Sequence, residues 1–260
     1  MRTPWPRTVC GPLMLALVAV AACGDDSDQG ATSGALDGEI TVFAASSLTD
    51  AFTEAGEAFH RAQPDTTVTF SFAASGALAT QIIEGAPADV FASADESSMK
   101  KLTDAGEVAG PPEVFARTEL QIIVGPGNPK GITGLPDLAR DDVIVVLCDE
   151  SVPCGVYARA ALGRAAVTVS PASLEDKVRG VVSKVTLGEA DAGIVYATDV
   201  LAAGSAAAGV EIPDAQNVIA TYPISVTKSS ENPRVADAFV EFIVSDAGRA
   251  ILAVYGFVAA

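Results

Sequence analysis

The stretch EITVFAASSLTDAFTEAGEAF, residues 39–59, decides the fold because it predicts a strand, a turn and a helix in succession. After the serines at 46 and 47, apolar residues recur at helical spacing at Leu48, Phe52, Ala55 and Phe59. Residues 67–83 repeat the pattern, with Ser75 in the turn. Strands that alternate with helices are typical of α/β proteins, whose largely parallel sheets carry helices on both faces.

The rest of the chain continues this alternation. Strands are predicted at residues 88–92, 120–124, 143–147, 192–196 and 222–226, and helices at about 155–162, 174–187 and 233–243, where the last helix closes the chain. The C-terminal part is expected to return to the first unit. This organisation predicts two lobes, residues 39–119 with 222–260 and residues 120–221. Because ligands of open α/β sheets bind beyond the carboxyl ends of the strands, a cleft between the lobes is the expected site.

Composition narrows the class of protein. Of the 260 residues 49% are apolar, and 33 acidic against 16 basic residues give a net charge of −17. So much apolar sequence is enough to form cores, which excludes general disorder. No cluster of Lys and Arg follows Arg7, so nucleic acid is not an expected partner.

The N-terminus predicts export. Arg2 and Arg7 precede an apolar run at residues 11–22 that is shorter than the ~20 residues of a membrane-spanning helix, so residues 1–22 are predicted to be a signal peptide. The run ends in VAACG, residues 20–24, which resembles the bacterial lipobox and makes Cys23 the expected lipidated residue. The alternative is an ordinary signal peptide with an incidental cysteine. Residues 23–38, rich in Asp, Ser, Gly and Ala, are then the lipidated N-terminus and a flexible tether.

Two cysteines, Cys148 and Cys154, remain for the folded part of such a chain. In an oxidising compartment this number predicts a disulfide, and two free thiols are the alternative. A metal site is not expected, because the chain has one histidine, His60, and no further cysteine pair to complete a zinc site.

The serines of the two strand–helix turns are the candidate binding residues. A helix N-terminus offers unpaired N–H groups and a partial positive charge, so Ser47 and Ser75 could add hydroxyl donors to an anion site. The alternative is that each serine caps its helix. Enzyme activity is not predicted, because His60, the one histidine, lies in a polar context that is typical of a solvated helix face, and neither serine stands in a Gly-x-Ser-x-Gly motif.

Several short motifs, in order along the chain, resemble the periplasmic molybdate-binding proteins of ABC uptake systems. They are FAASSLT (43–49), SFAASGAL (71–78), GAPADVFASAD (85–95), VPCGVYA (152–158), DKVR (176–179) and GEADAGIVY (188–196). The resemblance covers nearly everything after the tether. It implies the two-lobed, type II periplasmic binding protein fold, with mixed, mostly parallel sheets and a ligand cleft between the lobes.

The resemblance also implies the site and its ligand. The family captures molybdate or tungstate through neutral donors and delivers the anion to an ABC permease, with no cofactor and no metal cation. Where the family often has alanine this chain has Cys154, but the contact there is made by a backbone N–H, so a cysteine side chain need not remove it. The implied donors are the hydroxyls of Ser47 and Ser75, with Ser46 as the fallback for the first, the backbone N–H groups of Cys154 and Val178, and the phenol of Tyr196.

Other functions remain as alternatives. A protein for sulfate or another tetrahedral oxyanion would use the same donors, an exported serine hydrolase would use one of the serines as a nucleophile, and an adhesion or structural module would bind no ligand. The expected protein is a monomeric lipoprotein, anchored through Cys23 to the outer face of the cytoplasmic membrane.

Overall fold

The computed structural model describes residues 36–260. The predicted signal peptide (1–22), Cys23 and nearly all of the predicted tether lie outside the described residues. Within the described part, no helix is both long enough and apolar enough to span a membrane.

The described residues form ten strands and eight α-helices. The strands are β1 (Gly38–Ala45), β2 (Thr66–Ala73), β3 (Val90–Ala92), β4 (Glu113–Val124), β5 (Val145–Cys148), β6 (Ser173–Glu175), β7 (Ala192–Tyr196), β8 (Ala208–Glu211), β9 (Ile219–Val226) and β10 (Val258–Ala259). The helices are α1 (Thr49–Ala62), α2 (Ser75–Ile83), α3 (Glu96–Asp104), α4 (Pro153–Arg164), α5 (Val178–Thr186), α6 (Ala197–Ala203), α7 (Pro233–Val244) and α8 (Asp246–Val254). Short 3-10 turns lie at Ser46–Leu48, Leu135–Ala139 and Gly204–Ala206.

The strands form one mixed sheet in the order β2-β1-β3-β9-β4-β7-β5-β6, and β8 and β10 also pair with β4. The long strand β4 divides this sheet, because its residues 113–119 pair with β9 and its residues 120–124 pair with β7. We call β1, β2, β3, β9 and β10, with the helices packed on them, the first strand group. The second strand group is β5 to β8 with the helices packed on them.

Strand directions confirm the α/β prediction and refine it. β1 runs parallel to β2 and β3, and β5 runs parallel to β6 and β7. The pairs that include β4 or β9 are antiparallel. Antiparallel pairing therefore has a larger share than strand–helix alternation predicts, because β4 and β9 join the two parallel groups against the direction of their neighbours.

Apolar residues of β1 pack on both faces of the sheet. Ile40 and Val42 belong to the same buried cluster as Phe52 of α1, whereas Phe43 belongs to a second cluster with Leu78 of α2. This alternation is the period of two that places successive side chains on opposite faces. Full burial of each such side chain stabilises the fold by about 1.5–3 kcal/mol, so the end of β1 and the turn after it are held firmly in place.

The helix predicted at residues 174–187 is present, but its predicted start is wrong. Residues Ser173–Glu175 form strand β6, in which Leu174 pairs with Leu147, and α5 begins only at Val178. Leu174 is also half exposed, so it does not belong to the apolar face of a helix. A pairing between strands far apart in the chain overrides the local helical spacing here.

The predicted end of the chain is also wrong. The helix that begins near residue 233 is followed by α8 and β10. Ser245 caps α8, because its hydroxyl accepts a hydrogen bond from the N–H of Gly248 at 3.3 Å. The pair Ser245-Asp246 is a helix-start signal that the sequence reading overlooked, and Asp95 marks the overlooked start of α3 in the same way.

Candidate functional site

A small cavity lies where elements of both strand groups meet. Its volume is about 20 Å³. A single water molecule needs about 10–15 Å³ on the same scale, so the space suits one small ligand. The lining includes every residue that the resemblance implied as a donor: Ser46, Ser47, Ser75, Cys154, Val178 and Tyr196. These residues come from the 3-10 turn after β1, the end of β7 and the starts of α2, α4 and α5.

Four N-terminal turns converge on this cavity. They are the 3-10 turn Ser46–Leu48 and the first turns of α2, α4 and α5. The first N–H groups of a helix have no acceptor within it, and they carry the positive end of its dipole. No side chain caps any of these four starts. Their N–H groups therefore remain as donors for a ligand.

Neither candidate serine acts as a helix cap. Ser75 is the first residue of α2, and its hydroxyl oxygen accepts a hydrogen bond from the N–H of Ala94 at 3.0 Å. The hydroxyl of Ser47 lies 3.1 Å from that of Tyr222. The cap positions of the 3-10 turn and of α2 are Ala45 and Ala74, and no side chain caps either start, so the capping alternative is wrong. Both serines are buried, and their hydroxyl groups are held by partners distant in the chain. The Ser75 hydroxyl keeps its own hydrogen for donation.

Cys154 lies in a tightly packed start of α4. Cys148 and Cys154 form a disulfide with their Cα atoms 5.7 Å apart. Pro153 occupies the first helical position, and its ring leaves Cys154 as the first N–H of the helix. A Cβ at Gly155 would collide with the carbonyl oxygen of Asp149, so only glycine allows the disulfide loop to pack this closely on the helix.

Tyr196 contributes a donor with no partner. The residue ends β7 and is 1% exposed, and its hydroxyl has no hydrogen-bond partner among the described residues. Burial raises the pKa of the Tyr196 phenol well above its ordinary value, with Tyr222 adding to the effect. The phenol is therefore neutral and protonated at physiological pH, and its hydrogen is free for a ligand.

The charged residues in and near the cavity lining were not predicted as site residues from the sequence. Among the described lining residues, Lys177 is the only charged one, and it is exposed. Asp199 is buried in the first turn of α6, where its carboxylate accepts the N–H of Tyr196 at 3.2 Å. Burial raises the pKa of Asp199 to about 7, against the opposing effect of Arg179. Lys177 and Arg179 had a signal in the sequence, because both belong to the DKVR motif, whereas no local pattern marks Asp199.

The arrangement suits binding rather than hydrolysis. His60 is exposed on α1, and its Nδ1 lies 2.7 Å from the carbonyl oxygen of Thr66, so it is not a base for Ser47 or Ser75. The described residues contain no group of three or more His, Cys, Asp or Glu placed to hold a metal ion. Neutral N–H and O–H donors from both strand groups can surround a small ligand whose outer atoms are all acceptors.

Comparison with known proteins agrees with this geometry. The family model of bacterial extracellular solute-binding proteins matches residues 40–258. The chain is 41% identical over 256 residues to the molybdate-binding protein ModA of Mycobacterium tuberculosis, covering 97% of this chain and 98% of that protein. It is 30% identical over 253 residues to YvgL of Bacillus subtilis, named as a putative ABC transporter substrate-binding lipoprotein, with 95% of each chain covered.

Among solved structures, the periplasmic molybdate-binding protein of Azotobacter vinelandii superimposes with a TM-score of 0.73 at 22% identity, covering 85% of this chain and 99% of that one. At that identity the likeness shows the periplasmic binding protein fold. The matched proteins are solute-binding proteins and not hydrolases. The chain belongs to the family of bacterial extracellular solute-binding proteins.

Proposed function

We propose that this protein captures molybdate or tungstate outside the cytoplasmic membrane and delivers the anion to an ABC permease, with no enzymatic activity and no cofactor. The observation that carries the proposal is the Tyr196 hydroxyl, which is buried at the cavity without a partner. A buried hydroxyl without a hydrogen bond costs about 1–3 kcal/mol, so a ligand atom that accepts from it is expected. The 41% identity to a molybdate-binding protein supports this choice of ligand.

The proposed donors are neutral. The hydroxyls of Ser47 and Ser75, the N–H groups of Cys154 and Val178, and the Tyr196 phenol would satisfy a fully deprotonated tetrahedral oxyanion, which has only acceptor oxygens. An anion that keeps a proton, such as monohydrogen phosphate, brings an O–H that needs an acceptor. No carboxylate is among the described lining residues. The unpaired O–H would cost about 1–3 kcal/mol, or roughly 5- to 150-fold in affinity. Sulfate has no such proton and would be rejected by its smaller size.

Closure of two lobes would complete the site. We take these lobes as residues 39–119 with 222–260 and residues 120–221. A ligand stabilises a closed state only through contacts that the open state lacks. Because Ser47 and Ser75 would come from one lobe and the other three donors from the second, one anion touches both lobes only when they are closed.

The proposed cellular setting is supported by one of these relatives. The B. subtilis relative is named as a putative substrate-binding lipoprotein of an ABC transporter. This supports an anchor at Cys23 on the outer face of the cytoplasmic membrane, with the ABC permease as the partner that receives the anion. One closed site per chain needs no second copy, so a monomer is the proposed functional unit.

Calorimetric titration with molybdate, tungstate, sulfate and phosphate tests the proposal. We expect molybdate and tungstate to bind, sulfate and phosphate to bind much more weakly, and Ser47→Ala or Ser75→Ala to weaken molybdate binding by about 10- to 150-fold, as for a lost hydrogen bond to a charged group. Ser225→Ala is the matched control, because Ser225 is buried and its hydroxyl donates to the Val226 carbonyl at 3.0 Å, outside the cavity lining. Equal binding of all four anions would indicate a general oxyanion binder, and binding of none would refute the proposal.

A further inference from the structure

Arg179 joins the two strand groups at the edge of the cavity. It is the second residue of α5, directly after the proposed backbone donor Val178. Its Nη2 donates to the carboxylate of Asp50 on α1 at 2.5 Å, and its Nε donates to the carbonyl oxygen of Ser46 at 3.4 Å. Both partners flank Ser47, so one side chain connects the first serine turn to the start of α5.

Two other ion pairs of residues 36–260 each lie within one strand group and make no such connection. Lys100 and Asp104 pair at 2.6 Å within α3, and Arg159 pairs with Glu150 at 3.0 Å within the second strand group. The Arg179–Asp50 pair is also better shielded than these two, with 31% and 41% of the side chains exposed. Partial burial lowers the screening of a charge pair by salt, and charge-assisted hydrogen bonds are stronger than neutral ones.

We propose that Arg179, Asp50 and the Ser46 carbonyl form a latch that holds the two strand groups together over the bound anion. Arg179 is then a positioning residue, which sets the Ser46–Leu48 turn against the N-terminus of α5 without touching the ligand. The inference rests on the proposed oxyanion-binding function. It adds that the lifetime of the bound state depends on a charge pair, although all the proposed donors to the anion are neutral.

The Asp50→Asn substitution distinguishes the latch from a direct electrostatic effect of Asp50 on the bound anion. Asp50 lies three residues after Ser47, so its negative charge is close to the anion site. If the charge acted on the anion through space alone, its removal would tighten binding. If Asp50 holds the latch, its removal favours the open state and weakens binding. The two explanations therefore predict changes of opposite sign.

The test measures molybdate affinity and dissociation rate in the purified protein and in Asp50→Asn, Arg179→Gln, their double variant and Arg179→Lys. We expect each of the first three to lose about two- to tenfold in affinity, mainly through faster dissociation, with the double variant no weaker than the singles. Arg179→Lys keeps the charge and is expected to recover part of the loss. Asp104→Asn removes the same charge from an exposed pair within one helix and is the matched control, with no expected change.

Small-angle scattering of the ligand-free proteins provides a readout that does not need the anion. The latch predicts a larger radius of gyration for Asp50→Asn and Arg179→Gln than for the unmodified protein and Asp104→Asn. Asp50→Asn that binds as tightly as the control, with unchanged scattering, overturns the latch. If the unmodified protein binds none of the oxyanions, the proposed function fails, and the scattering comparison alone then decides whether the latch exists.

Discussion

Replacing Tyr196 with phenylalanine is expected to weaken ligand binding without weakening the fold. Tyr196 is 1% exposed, and its hydroxyl has no hydrogen-bond partner among the described residues. The ligand-free protein therefore carries an unpaired buried hydroxyl group. Such a group costs about 1–3 kcal/mol, and its removal leaves the fold as stable as before or more stable. A hydrogen bond to a charged acceptor contributes about 1.5–3 kcal/mol, so molybdate affinity should fall about 10- to 150-fold.

Thermal unfolding of the ligand-free protein and calorimetric titration with molybdate measure the two effects separately. Each kcal/mol gained corresponds to a rise of roughly 2–4 °C in the unfolding temperature of a chain of this size. Tyr222→Phe is the control, because its hydroxyl lies 3.1 Å from that of Ser47 and the loss of this bond should destabilise the ligand-free fold by about 0.5–1.5 kcal/mol. A Tyr196→Phe protein with a lower unfolding temperature and unchanged affinity would show that the hydroxyl serves the fold and would refute the reasoning.

Three further predictions concern buried groups around the site. Burial raises the pKa of Asp199 to about 7, so between about pH 4 and 7 the native state binds a proton that the unfolded state has released. The free energy of unfolding should therefore fall as the pH rises through this window. Denaturant titrations at pH 5 and 8 should show this fall in the unmodified protein and not in Asp199→Asn. Replacing Cys148 and Cys154 together by serine should cost about 2 kcal/mol, read as a lower denaturant midpoint, whereas an unchanged midpoint would show that the bridge does not stabilise the fold. Gly155→Ala should destabilise the protein by about 1–3 kcal/mol and weaken molybdate binding, because its Cβ meets the carbonyl of the disulfide loop; Gly163→Ala, with open space in the same helix, should not.

Local patterns in the sequence predicted most elements that position the site. The alternation of β1 and the helical spacing of α1 are set by neighbouring residues, and both elements lie within a few residues of their predicted bounds. The wrong predictions lie where pairing between strands that are distant in the chain determines the secondary structure. Residues Ser173–Glu175 join β5 as a strand although their spacing matched a helix, and β4 is longer than predicted because its first half pairs with β9.

The candidate donors show the same division. The turns that carry Ser47 and Ser75 were predicted from small and polar residues between a strand and a helix, and the positions of Val178 and Tyr196 came only from the resemblance. No local pattern distinguished Val178 from a core residue. The capping interpretation of the serines could be excluded only by their actual partners, Tyr222 and Ala94.

The sequence by itself determined the α/β units, the turns that begin their helices and the family to which the motifs point. Only the tertiary structure decided that these turns surround one cavity, that the Tyr196 hydroxyl is left without a partner, and that Arg179 reaches Asp50 across 129 residues of chain. The physical reason is the separation along the chain of the residues that interact. Strand and helix periodicity arises among neighbouring residues, whereas the burial and partners of a polar group depend on how distant elements pack against it.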